Sequence, residues 1–216
     1  MKEITFGTIK SYTDLNLILS PGKEIGSPAV KRKVVDIEGA DSSIDYTDYF
    51  GEPKYENMTH KLPFGLLVPH EEFLSQFSKV KNALHGKKMR IIMDDDKSFY
   101  YVGRLSVSPG TWDNGVGRLT VECDCEPYKY KLDKTVVSKA VNGTDTIVLT
   151  NSRKRAVPEV TIQTDTSLNI VYQTYNVWDL GSGSFTLPEL ELVEGANTVT
   201  VTGTGNITFT WQEASL

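Results

Sequence analysis

The feature that most constrains the fold is a change in composition near residue 133. From Lys134 onward there are fifteen threonines but no His, Cys or Met, whereas the chain before it has seven threonines. Threonine favours extended structure because its branched side chain packs well on a pleated surface. The change therefore predicts two domains, residues 1–132 and residues 133–216, the second made of strands alone.

The second domain reads as a series of short strands. The segments of strand length are "DTIVLTN", "PEVTIQT", "LNIVYQT", "SFTLPELELV" and "NTVTVTGTGNITFTWQ". In the last one, Val199 and Val201 precede a Gly-rich stretch, and Ile207, Phe209 and Trp211 follow it, which is typical of a hairpin. Short strands separated by Thr, Gly and Asn indicate a β-sandwich.

The first domain is mixed. Strand-like runs occur in "HKLPFGLLV", "KKMRIIM", "SFYYVGRLSV" and "GRLTVECDCE", with the loop "SPGTWDNGVG" before the last. One helix is predicted at about residues 70–85, because apolar residues recur there at helical spacing and Gly86 follows. The sequence thus predicts a mainly β protein, with an α+β N-terminal domain that places one helix on β-sheets.

Composition and charge exclude several classes. No apolar run approaches the roughly 18 residues of a membrane span, and "MKEITFGTIK" lacks the apolar core of a secretory signal. The net charge is −5, and no basic run exceeds the three residues of "KRK" and "RKR". Specific nucleic-acid binding is not expected, because it requires a clustered basic surface.

Two groups of residues resemble metal sites only superficially. Cys123 and Cys125 alternate with acidic residues, so both are expected on the apolar face of a strand, as small hydrophobes of a chain that folds in a reducing compartment. Residues two apart on a strand are also badly placed for a disulfide. The run Asp94–Asp96 lacks calcium-loop spacing and suits a hairpin turn. No metal or cofactor is predicted.

Catalytic motifs are equally scarce. The sequence has no G-x-S-x-G elbow and no phosphate-binding glycine loop, and its histidines, His60, His70 and His85, lack metal-ligand spacing. One carboxylate pair, Asp45 and Asp48, leaves open a glycosidase acting on cell walls. The alternative is that these carboxylates belong to a solvated loop, and we predict no enzyme.

One aromatic group leaves a binding function open. Trp178, together with Tyr175 and Tyr172, is a candidate platform for stacking against a sugar in the second domain. The alternative interpretation is that these side chains are part of the domain's own core. A carbohydrate-binding module for host-surface recognition is therefore the second function that the sequence allows.

Five segments in order resemble the distal tail proteins of phages with long, non-contractile tails and of related prophages. They are "FGTIKSYTDLNLIL", "VVDIEGADSSIDYTDYFGEPKYENMTHKLPF", the helix with "GKKMRIIMDDDKSFYYVGRL", "CEPYKYKL", and "LVEGANTVTVTGTGNITFTWQEASL", which is similar to the family's closing hairpin. The family's Pro-Gly is replaced here by Glu38-Gly39, and its Asp-Gly by Asp41-Ser42, while Ile44, Asp45 and Thr47 keep the pattern.

The resemblance implies a structural protein of the virion tail tip, or baseplate, that is assembled in the bacterial host cytoplasm. Family members form a hexameric ring between the tail tube protein and the tail-associated hub protein. Their N-terminal domains build the ring around a channel for DNA, and galectin-like or carbohydrate-module-like C-terminal sandwiches project outward. Receptor-binding proteins or host glycans are further expected partners, and a membrane is not.

A closed ring needs an interface in which a protruding part of one subunit fits its neighbour. Residues 40–57 are the candidate, with the aromatic residues Tyr46, Tyr49, Phe50 and Tyr55 as anchors, because aromatic side chains are enriched at the centres of interfaces. The alternative is that these side chains pack within their own domain.

Overall fold

The computed structural model describes residues 3–49 and 51–216. The chain divides into two compact units, Met1–Lys129 with Leu216, and Tyr130–Ser215. Each unit has its own hydrophobic core. Most of the described residues in regular structure lie in strands, so the prediction of a mainly β protein is confirmed. No helix in the described part of the chain is long and apolar enough to cross a bilayer.

The first unit combines strands with two α-helices among its described residues. Its elements are β1 (Thr5–Phe6), β2 (Ile9–Lys10), α1 (Ser11–Leu15), β3 (Leu17–Leu19), β4 (Val34–Val35), β5 (Ile44–Asp45), β6 (Met58–Leu66), a 3-10 turn (His70–Glu72), α2 (Phe73–Leu84), β7 (Lys88–Ile92), β8 (Phe99–Val107), β9 (Thr111–Asp113) and β10 (Val116–Cys125). A further strand, β11 (Lys129–Lys131), contains the point in the sequence at which the first unit ends and the second begins. The main sheet has the order β2-β1-β7-β8-β10-β6-β3, with β9 beside β10.

The predicted helix is present as α2 and the 3-10 turn that precedes it. Phe73, Val80 and Leu84 face the core, as their helical spacing predicts, whereas Leu74 is exposed. The sequence interpretation missed α1, which has five residues. Such a short helix has no complete apolar stripe, and it is held by local capping instead: the Asp14 carboxylate accepts a hydrogen bond from the N–H of Lys10 at 2.7 Å.

The loop predicted before β10 contains an additional strand. β9 pairs with β10 through a turn in which Asn114 has φ +49° and Gly115 has φ +79°. Two successive positive φ values are those of a tight hairpin turn, for which Asn-Gly is the preferred sequence. The signal was present in "DNGV", but β9 has only three residues, too few to show the alternation of a strand.

The alternation along β10 places its side chains as predicted. Leu119, Val121, Cys123 and Cys125 are buried, while Arg118, Glu122 and Asp124 on the opposite face are exposed. Both cysteines are free thiols. Burial raises the pKa of Cys123, and it raises the pKa of Cys125 to about 12.

These thiols should therefore resist modification. We expect a thiol reagent at pH 8 to label Cys123 and Cys125 in the native protein roughly a hundredfold or more slowly than in urea, because both burial and the scarcity of thiolate oppose the reaction. Rates measured with a chromogenic disulfide reagent check this. Rapid labelling of both thiols in the folded protein would show that β10 opens readily.

The second unit consists of strands. Its elements are β12 (Thr135–Asn151), β13 (Glu159–Gln163), β14 (Leu168–Tyr172), β15 (Tyr175–Leu180), β16 (Gly183–Thr186), β17 (Gly195–Trp211) and β18 (Ala214–Ser215). β12 and β17 pair antiparallel along their whole length, and β17 continues the sheet in the order β15-β14-β17-β13-β16.

The hairpin predicted in the last segment is wrong, because β17 runs without a break from Gly195 to Trp211. The Gly-rich stretch lies in the middle of this strand, where Gly203 has φ +133° and pairs with Gly143, at φ +96°. The first half of β17 pairs with β14 and the second half with β13. Glycine permits a sharp bend in a paired strand as readily as it permits a turn.

The same face of β17 is buried on both sides of the bend. Odd-numbered residues from Val199 to Phe209 face one core, which also holds residues of β13 and β14. A ribbon whose two halves bury the same face in one core must curl around that core. The layered arrangement of the unit thus comes from folding a single sheet over itself.

Candidate functional site

A β-arm in the first unit is the principal candidate site, and we define it as residues 29–57. Val34–Val35 pairs antiparallel with Ile44–Asp45, and this two-stranded sheet is separate from the main one. Backbone pairing continues toward the base of the arm, where Val30 bridges Tyr55. Two segments of the chain, paired at the strands and again at the base, give the arm a defined shape without a core of its own.

The tip of the arm is closed by local hydrogen bonds. The Ser43 hydroxyl donates to the Asp36 carboxylate at 2.5 Å, and the Ala40 N–H donates to the Ile37 carbonyl at 3.1 Å. Gly39 lies between them with φ +85°, a conformation that glycine adopts at little cost. Gly39 thus forms a turn here although the family's Pro-Gly is replaced by Glu38-Gly39.

Of the carboxylate pair in the arm, Asp45 makes local contacts within the arm. Asp45 and Asp48 line one shallow depression, so the structure brings them together. The Asp45 carboxylate accepts a hydrogen bond from the Thr47 N–H at 2.9 Å and lies 3.5 Å from the Arg32 guanidinium. Hydrogen bonding from Thr47, and then the charge of Arg32, lower the pKa of Asp45. A glycosidase acid needs the opposite, a carboxyl group with a raised pKa.

The aromatic anchors predicted for the arm take different positions. Tyr49 is 79% exposed, whereas Tyr46 and Tyr55 are half-buried. The Tyr55 ring packs edge-on against Tyr128 of the same unit, with centroids 5.9 Å apart. Phe50 lies outside the described residues. Of the described anchors, Tyr49 is thus the one that projects most from the unit.

The sequence interpretation overlooked the aliphatic residues of the arm. Six large apolar side chains in this segment are between 42% and 79% exposed, namely Val30, Val34, Val35, Ile37, Ile44 and Tyr49. None of the described residues from 29 to 57 is buried. A group of exposed apolar side chains is a feature that protein–protein contact sites share. The β-branched residues on both sides of a Gly-containing turn were the available signal.

The candidate sugar contacts lie on β15 and face opposite ways. Tyr175 and Val177 point toward the core side, opposite Tyr172 and Ile170, whereas Trp178 is on the outer side and 63% exposed. Tyr172 is buried, and its hydroxyl donates a hydrogen bond to Asn197 Oδ1 at 2.8 Å. The structure therefore does not join Trp178 with the two tyrosines in one platform.

The aspartate run forms ion pairs at the turn between β7 and β8. The Lys23 ammonium lies 2.5 Å from the Asp95 carboxylate and 3.6 Å from Asp94, and the Lys129 ammonium lies 2.8 Å from Asp96. Within residues 3–49 and 51–216, no three His, Cys, Asp or Glu side chains lie together as a metal site would require.

Comparison with solved structures gives a likeness over the full length of the chain. No protein-family model matches the chain, and no curated protein matches it. Among solved structures, the chain is similar to one described as "SPP1 Dit (gp 19.1) Protein, a Paradigm of Hub Adsorption Apparatus in Gram-positive Infecting Phages". The match covers 100% of both chains with a TM-score of 0.70 and 15% identity. Along its entire length, the chain has the fold of the SPP1 Dit protein.

Proposed function

We propose that this chain is a structural component of a phage tail tip, a distal tail protein that assembles with copies of itself. Two independent findings support the proposal: the full-length likeness to a protein of a phage adsorption apparatus, and an arm that exposes apolar side chains without covering them itself. A structural role needs no catalytic group, and the lowered pKa of Asp45 makes this carboxyl unsuited to the acid role of a glycosidase.

The exposed arm is the observation that carries the proposal. An arm that docks on a different surface of the next copy makes a heterologous contact, and repetition of such a contact closes a ring when the rotation permits it. We propose a hexameric ring, which lies between the tail tube protein and the tail-associated hub protein. Val35 and Ile44, opposite each other on the arm and both about half exposed, are the apolar contacts of this interface, together with Tyr49.

The mass of the purified protein in solution tests the ring. We expect a species of about six copies in light scattering coupled to size-exclusion chromatography, and six-fold rings in negative-stain electron microscopy. A chain that stays monomeric at high concentration and forms no rings in the micrographs would contradict the proposal.

A matched pair of variants tests the arm. Val35→Ser with Ile44→Ser should weaken the assembly at least about tenfold, because two apolar side chains lose their burial between subunits. The control is Val136→Ser with Val148→Ser, which changes two valines of similar exposure on the second unit. Equal assembly by both double variants, measured by mass against concentration, would exclude these arm residues as interface contacts.

A second role is supported by Trp178. An exposed tryptophan on a strand is an amphipathic anchor that suits a ligand surface. We propose that the second unit contacts host glycans while the first unit forms the ring.

A further inference from the structure

The outer face of the second unit carries no charged side chain along its two longest strands, β12 and β17. Facing outward from β12 and β17 are only uncharged side chains, chiefly threonines, with Ser138, Asn142 and Asn206 among them. The charged residues of β12, Lys139 and Asp145, are both odd-numbered and pair with each other at 3.7 Å. Charged residues form 24% of the chain, so an uncharged face of this size is unusual for it.

A β-bulge in the edge strand displays Trp178 on this face. Leu168 pairs with Leu180 and Ile170 with Val177, so two residues of β15 oppose the single residue Asn169. A bulge of this kind redirects the side chains beside it. The Asn169 Oδ1 atom accepts a hydrogen bond from the backbone N–H of Asp179 at 2.8 Å. This bond fixes the bulge, and Asp179 adopts φ +59° within it.

A row of polar side chains continues from the bulge across the sheet. Asn169 pairs with Thr202 on β17, and Thr202 pairs with Thr144 on β12. The hydroxyl oxygens of the two threonines are 3.2 Å apart. We call Trp178, Asn169, Thr202 and Thr144 the Trp178 row. Adjacent strands are about 4.8 Å apart, so the row spans roughly 14 Å, enough for several linked sugar rings rather than one.

We propose that the Trp178 row binds a neutral polysaccharide of the host-cell surface, which deepens the second role offered under Proposed function and rests on it. The indole face would pack against the apolar C–H face of one sugar ring. Because Asn169 Oδ1 is engaged by the bulge, its Nδ2 amide can donate to a sugar hydroxyl, and the two threonine hydroxyls can donate or accept. The absence of charge from the outward residues of β12 and β17 matches a neutral polyol and gives no counterion to an anionic polymer.

Titration of the full-length protein with neutral hexasaccharides tests the row. The probes are cellohexaose, maltohexaose and the hexamer of N-acetylglucosamine, followed by the indole N–H signal of Trp178 in NMR spectra. We expect at least one probe to shift this signal. Isothermal titration calorimetry, which needs no tryptophan signal, measures the variants, and Trp178→Ala should weaken binding of that probe by about tenfold or more, the effect of losing one aromatic stacking contact.

Two threonine variants test whether binding depends on hydroxyls of the Trp178 row rather than on any hydroxyl of the outer face. Thr202→Val removes a hydroxyl of the row and should weaken binding severalfold. Thr208→Val removes an equivalent hydroxyl beyond the bend, where Thr208 lies 2.8 Å from the Ser138 hydroxyl, and should leave binding unchanged. The proposal is overturned if no probe shifts the Trp178 signal, if Trp178→Ala binds as well as the unaltered protein, or if the two threonine variants behave alike.

Failure of the glycan test would leave the tail-tip role standing, because ring formation is measured separately by mass and microscopy. Trp178→Ala should form rings as the unaltered protein does. Loss of rings in this variant would instead assign Trp178 to a contact between copies of this chain, and would overturn the glycan proposal.

Discussion

Gly203→Ala is expected to destabilise the second unit by about 3 kcal/mol or more. Gly203 has φ +133°, a conformation that side chains other than hydrogen rarely allow. A Cβ atom there would lie 2.6 Å from the carbonyl oxygen of Ser167 and 2.7 Å from the Cδ2 atom of the buried Leu168. The carbonyl belongs to the backbone, so relief of the clash would have to separate β14 from β17.

Gly143→Ala is the matched control, since Gly143 lies directly opposite Gly203 in the ribbon. Its φ is +96°, but no heavy atom lies within 4 Å of a Cβ built there. This variant has the strained backbone conformation without the clash, and we expect it to lower the stability of the second unit by about 1 to 2 kcal/mol. Amide exchange of Val199 and Val201 measures both effects. Equal losses of protection would mean that backbone conformation, rather than the close approach of β14, determines the bend.

Acid should destabilise the first unit through His60. This side chain is completely buried, and burial lowers its pKa from 6.5 to about 4. The Nδ1 atom accepts a hydrogen bond from the N–H of Gly26 at 3.0 Å, a bond that only the unprotonated nitrogen can make. The ring also packs edge-on against Tyr101, with centroids 4.5 Å apart. The folded protein therefore holds this imidazole neutral.

The direction of the pH effect follows from proton binding. Between pH 6.5 and pH 4 the unfolded chain binds the His60 proton more readily than the folded chain does, so stability falls with the pH. The free energy of unfolding should decrease by about 2 kcal/mol from pH 7 to pH 5, and by about 3 kcal/mol at pH 4. Above pH 7 this residue contributes no pH dependence. Carboxyl groups with lowered pKa values, such as Glu3 and Asp45, begin to lose their stabilising contribution as the pH falls through their ordinary pKa values of 4.5 and 3.8.

His60→Asn separates this effect from general acid sensitivity. The amide oxygen of Asn can accept the Gly26 hydrogen bond but does not titrate, so the variant should be less stable at pH 7 and nearly insensitive between pH 7 and pH 5. Urea unfolding followed by the methyl signals of Met58, Met89 and Met93 reports on the first unit alone, since the second unit has no methionine. An unchanged pH dependence in His60→Asn would assign it to other groups.

Much of the first unit could be predicted from its sequence because periodicity is a local property. The apolar spacing of α2 and the alternation of β10 each select a buried face without reference to the rest of the chain. The turn aspartates were also recognisable, and residues 40–57 were predicted as an arm because of their aromatic residues. Its exposed aliphatic residues were not distinguished from core residues, since the sequence does not say whether an apolar side chain finds a partner.

The site on the second unit depended on tertiary structure to a greater degree. Tyr175 and Trp178 are three residues apart, which allowed one shared platform, and the regular alternation of β15 up to the bulge at Asp179 puts them on opposite faces. The positive φ of Asp179, a non-glycine residue, could not be predicted from composition. Asn169 acquires its role only because it pairs with both the bulge and Thr202.

By itself the sequence determined a mainly β chain with one substantial helix, buried free thiols and an acidic rather than basic surface. Periodicity, burial preference and charge act locally, and so they can be read directly. Only the tertiary structure decided that the Gly-rich stretch of β17 bends inside a continuous strand. Glycine allows both a turn and a bend. Here the chain bends, because β12 pairs with β17 on both sides of Gly203 and keeps the strand continuous.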